Sequence, residues 1–80
     1  MNFMPRYFFN VYSGSESFID EDGEEFPDNH AAWREATSTA GLSIKDLNGR
    51  LLPDSQWRLD VMDEFQNQLY CIIVISRRSP

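Results

Sequence analysis

Few side chains in this chain could do chemistry. There is one histidine, His30, and one cysteine, Cys71. There is also a knot of carboxylates in Asp20-Glu21-Asp22-Gly23-Glu24-Glu25-Phe26-Pro27-Asp28. The knot invites a calcium-loop reading. An EF-hand loop needs oxygen ligands at positions 1, 3 and 5, glycine at 6 and a bidentate glutamate at 12. With Gly23 at position 6, Asp20 and Asp22 fall at 3 and 5, but Phe18 takes position 1 and Asn29 position 12. Starting from Asp20 instead puts Glu25 where the glycine belongs. The stretch therefore reads as a turn at Asp22-Gly23 and a helix start, with Asp28 as the N-cap and the remaining acids in solvent.

His30 falls in the first turn of that helix, near the positive end of its dipole, and reads as a surface residue. No second His or Cys stands at helical spacing to complete a metal site. Cys71 opens the apolar run Cys71-Ile72-Ile73-Val74-Ile75. Burial there would raise the thiol's pKa and block access, so it reads as a core cysteine. One histidine and no nucleophile elbow give no Ser-His-Asp set, and Gly14 and Gly23 form no phosphate-binding pattern. The reading is a chain with no catalytic residue, no cofactor and no metal.

Charge narrows the partners. Thirteen acids against 7 bases give a net charge of −6. That argues against nucleic acid, whose binders carry a basic stripe, and against an anionic membrane surface. The longest apolar run is far short of a membrane span. The start, Met1 to Phe9, carries no signal-peptide pattern, and a lone cysteine suits a reducing cytoplasm. With 80 residues, a single domain is expected, ordered over roughly 4–76.

The elements that must position these groups follow from periodicity. Arg6 to Tyr12 is rich in aromatics and valine and reads as a strand, with Tyr7, Phe9 and Val11 on one face and Phe8, Asn10 and Tyr12 on the other. Ser13-Gly14-Ser15 turns the chain into a short second strand over Ser17 to Asp20. After Pro27-Asp28, a spacing of four in Ala32, Ala36 and Ala40, continued by Ile44 and Leu47, predicts a helix that lies close on a sheet, with Trp33 at its edge. Gly41 and Asn48-Gly49 both offer places for it to end. Trp57, Leu59 and Val61 alternate with Arg58, Asp60 and Met62 as a half-buried strand. Asp63 to Gln68 is a polar turn, and Leu69 to Ser76 is the strongest strand, expected in the sheet interior. The fold class is α+β in the order β-β-α-β-β: an antiparallel sheet of about four strands with one main helix on one face.

Three motifs then stand in order. They are Met4-Pro5-Arg6-Tyr7-Phe8-Phe9, then Asp20-Glu21-Asp22-Gly23-Glu24-Glu25-Phe26-Pro27-Asp28 followed by Ala31, Ala32 and Glu35-Ala36, and last Leu59-Asp60-Val61-Met62-Asp63-Glu64. In this the chain resembles the short α-proteobacterial proteins, largely rhizobial and methylobacterial, that are grouped as a domain of unknown function. The likeness covers roughly residues 4 to 76. It departs from that pattern in the last turn, where the usual glycine is replaced by Phe65-Gln66-Asn67. The resemblance implies no catalytic residues.

One helix covers one face of such a sheet, and the other face should then be polar. The last strand is apolar on both faces. With Leu69, Cys71, Ile73 and Ile75 toward the helix, the second face would carry Phe8, Tyr12, Tyr70, Ile72 and Val74. An uncovered apolar face marks an interface. The reading is a small cytoplasmic protein-interaction module that self-associates through its sheet, as a homodimer. Two alternatives stand beside it. One is an antitoxin-like or regulatory partner that binds a basic protein through the acidic loop 16–28, by Glu16, Asp20, Glu21, Asp22, Glu24 and Glu25. The other is a small-ligand binder.

Overall fold

A computed structural model describes residues 4–47 and 52–79. The elements are β1 (Arg6–Ser13), β2 (Glu16–Phe18), β3 (Glu24–Glu25), α1 (Asn29–Leu47), β4 (Gln56–Asp63) and β5 (Gln68–Ile75). The α+β class and the β-β-α-β-β order hold, with the short β3 as an added strand. The sheet is antiparallel in the order β2-β1-β4-β5, and β3 pairs with the same side of β1 as β2 does.

α1 forms where the alanine spacing predicts it. Asp28 caps it: its Oδ1 accepts from the amide of Ala31 at 2.8 Å, which satisfies one of the orphan donors of the first turn. Ala32, Ala36 and Ala40 are buried against β4 and β5, and Ile44 and Leu47 pack on the same core. Gly41 does not end the helix, because it faces solvent with open space around it and nothing competes with the helical bonds. The stop signal Asn48-Gly49 lies outside the described residues.

The core lies between α1 and the near face of the sheet. Tyr7, Trp57, Leu59 and Val61 are its large buried side chains. α1 covers the β4–β5 half. Phe26 covers part of the remainder, edge-on to Tyr7 at 5.9 Å and to Phe9 at 6.0 Å. Trp33 packs at the helix edge against Tyr70, with ring centroids 5.0 Å apart.

Two expectations about the last strand are corrected. β5 is an edge strand and not an interior one. Its phase is also the reverse of that expected: Tyr70 pairs with Val61, Ile72 with Leu59 and Val74 with Trp57. Directly opposite residues share a face, so Tyr70, Ile72 and Val74 join the core, while Cys71, Ile73 and Ile75 point to the open side. Because β5 is apolar on both faces, its own pattern does not fix its phase. Its pairing with β4 does, after a bulge between Val61 and Met62 shifts the register by one.

Candidate functional site

The acidic knot is a backbone device. β2 pairs with Val11 to Ser13, β3 pairs with Arg6 and Tyr7, and the chain leaves the edge between them. That leaves the amide of Phe9 facing outward without a strand partner. The carboxylate of Asp20 takes its place: Oδ2 accepts from the Phe9 amide at 3.1 Å. Its Oδ1 accepts from the amides of Asp22 at 3.2 Å and Gly23 at 2.9 Å. Asn10 completes the clasp, its Oδ1 accepting from the Asp20 amide at 3.0 Å.

Gly23 adopts φ +70°, and a Cβ there would fall 2.8 Å from the Tyr7 carbonyl oxygen and from Phe8. Only glycine suits that place. Arg6 then binds the Asp22 carbonyl at 2.9 Å and the Glu25 carboxylate at 3.0 Å. Of the six acids singled out by sequence, Asp20 is turned inward and Glu25 is bridged to Arg6, while Glu16, Glu21, Asp22 and Glu24 are exposed side chains along one edge. Among the described residues no group of three or more His, Cys, Asp or Glu side chains is arranged to hold a metal ion. His30 is exposed in the first turn of α1.

The sheet face turned away from α1 is the second candidate. Rows across it follow the register: Tyr12–Arg58–Ile73, Asn10–Asp60–Cys71 and Phe8–Met62. Of the five residues assigned to this face by sequence, Phe8 and Tyr12 are there, while Tyr70, Ile72 and Val74 belong to the helix side. In their place stand Cys71, Ile73 and Ile75. The centre of the face is polar. Asp60 is only 7% exposed, and its Oδ1 lies 3.2 Å from Nε of Arg58, close enough for an ion pair but without the alignment of a hydrogen bond. The Arg58 guanidinium sits 4.3 Å over the Tyr12 ring as a cation–π contact.

Cys71 is exposed and not a core residue. Partial burial of the thiol, then the Asp60 carboxylate beside it, raise its pKa, and Arg58 only partly opposes them. The thiol is thus accessible but poorly ionised, which is the opposite of an activated nucleophile.

A groove of about 800 Å³ opens on the helix side between the β1–β2 hairpin and the end of α1, lined in part by Val11, Phe18, Leu47, Leu52 and Trp57. Ser43 and Glu16 are among its polar side chains, and this mixed lining selects no ligand class.

The Asp20 clasp, Gly23 and the Asp28 cap account for a motif that makes structure before it makes chemistry. The model of a domain of unknown function, DUF6894, matches residues 6–75. The chain belongs to the DUF6894 family. Its match spans β1 through β5 and so contains the clasp, the helix and the whole sheet. No curated protein and no solved structure matches the chain. Among the described residues of this DUF6894 member, no helix is long and apolar enough to cross a membrane.

Proposed function

We propose that this DUF6894 chain is a small bacterial, cytoplasmic protein-interaction module without catalytic activity, and that it self-associates through its sheet. The supporting observation is apolar surface left on β5: Ile73 and Ile75 are 51% and 53% exposed in a chain whose own helix packs on the other side. Half-buried Phe8 and Tyr12 lie on the same face, separated from that surface by the polar Arg58 and Asp60 of β4. A chain this short buries a smaller share of its surface than a larger domain does, and association is one ordinary remedy.

Sedimentation at tens of micromolar tests the reading. The expected species has about twice the 9.3 kDa chain mass. A clean species at the chain mass overturns it. Ile73→Glu should weaken the dimer without unfolding the chain, whereas Ile72→Glu and Val74→Glu, which face the core, would report folding instead. Asp22→Ala should leave association unchanged.

A second reading, recognition of a basic partner by the acidic edge, draws on the exposure of Glu16, Glu21, Asp22 and Glu24. Binding of an oligolysine peptide that vanishes in high salt and in a Glu21→Gln, Glu24→Gln variant would support it. Binding untouched by both changes would discard it.

A further inference from the structure

We infer that the self-association occurs edge to edge: β5 pairs antiparallel with β5 of a second copy, so that one sheet runs through the seam. This rests on the reading above and specifies its geometry. The first support is the direction of the backbone groups. The Ser76 amide donates inward to the Ser55 carbonyl at 2.9 Å, and Gly14 donates to the Gln56 carbonyl at 3.4 Å from the other side of β4. Backbone groups alternate sides along an antiparallel strand. Ser76, Val74 and Ile72 therefore bond inward to β4, and Cys71, Ile73 and Ile75 hold their N–H and C=O groups out along the free edge.

The second support is the contrast between the two edges. The β2/β3 edge is broken in two, its gap is filled by the Asp20 carboxylate, and it carries Glu16, Glu24 and Glu25. Those are the devices that blunt an edge. β5 has none of them. It is eight residues long and contains no charge, no proline and no glycine. A bare edge of this kind is a template for another strand.

The third support identifies the occupant as a second copy. β5 is flanked by opposite charges: Glu64 stands before it and Arg77 after it, while Arg78 lies 3.9 Å from Asp54 of its own chain and the Asp63 oxygens serve Phe65 and Asn67. Antiparallel pairing with itself sets the basic end of each copy alongside the acidic turn of the other, twice by symmetry. Parallel pairing would set like charges together. The two-fold axis then stands perpendicular to the sheet, both helices lie on the same side, and the acidic β2/β3 edges are at the far ends. The seam also covers Ile73 and Ile75 on one face and the half-buried Tyr70, Ile72 and Val74 on the other.

Hydrogen exchange and charge reversal on the full chain test this. In a dimer of this form the amides of Cys71, Ile73 and Ile75 exchange slowly, and their protection falls on dilution to the monomer. Ile73→Pro removes an outward N–H and not an inward one, so it should abolish association with the circular dichroism of the fold kept. Arg77→Glu should raise the dimer dissociation constant by about tenfold, and adding Glu64→Arg should restore most of it. A dimer whose three outward amides stay unprotected, or which survives both Ile73→Pro and Arg77→Glu, overturns edge pairing and leaves self-association through the open face standing. A wild-type chain that is monomeric throughout overturns both.

Discussion

The carboxylate of Asp20 accepts the amide of Phe9 at 3.1 Å and thereby stands in for a strand residue at the break between β2 and β3. The same side chain closes the turn to Gly23 through two further amides. Hydrogen bonds to a charged group contribute more than neutral ones, and an amide left without a partner carries a desolvation penalty. Asp20→Ala should therefore destabilise the fold by about 2–3 kcal/mol, read as a lower urea midpoint. Asp20→Asn should recover part of it. A loss no larger than that of Glu21→Ala would contradict the clasp.

Gly23→Ala should be at least as damaging, because a left-handed backbone and a Cβ at 2.8 Å from the Tyr7 carbonyl act together. A loss above about 2 kcal/mol is expected. Gly14→Ala, also at positive φ but with open space around it, should lose less.

Gln66 offers the reverse test. It sits at φ 65°, in the turn between β4 and β5. Relief of the left-handed strain outweighs the entropy glycine adds to the unfolded chain. Gln66→Gly should stabilise by about 0.5 kcal/mol, with the urea midpoint raised and the slope unchanged.

Asp63 sets part of the acid limb of stability. Its carboxylate accepts from the amides of Asn67 and Phe65, both at 2.8 Å, and from the Asn67 side chain at 3.0 Å. The Asn67 bonds, backbone first, hold its pKa below the ordinary 3.8. A group depressed in the folded state stabilises above its unfolded pKa, and that contribution is lost as pH falls through the folded value. The wild type should therefore lose stability below about pH 4 more steeply than Asp63→Asn. Parallel acid limbs in chemical denaturation would refute this.

Calcium at millimolar concentration should leave the melting temperature unchanged, because the Asp20 oxygens already serve backbone amides. A rise of several degrees, abolished by Asp22→Ala, would contradict it.

Much of this fold is legible in the sequence. The alanine spacing of α1, the Asp28 cap and the period of two in β1 and β4 all report a single packing direction, and each is found where it was expected. The phase of β5 is not legible there, because Leu69 to Ile75 is apolar at every position and alternation carries no information. What sets it is a bulge in the β4–β5 pairing, which no residue pattern in the strand announces. The turn end pairs Met62 with Gln68, which carried on unbroken would set Val61 opposite Leu69; a bulge between Val61 and Met62 shifts the register by one, so that Tyr70 faces Val61 and Ile72 faces Leu59. The exposure of Cys71 follows from the same phase. The role of Asp20 was hidden for a different reason: a carboxylate that completes a backbone ladder and one that faces water look alike in a sequence.

The inequality of the two sheet edges sets the stoichiometry of any strand addition. The margin at β2 and β3 is interrupted and acidic, so it is not built to propagate a ladder, whereas the margin at β5 has room for one neighbour. Once that neighbour is in place no further strand can be added on that side. Strand pairing of the kind proposed above would thus have a valence of one, and a hydrophobic edge that would elsewhere seed a filament would close in a countable complex.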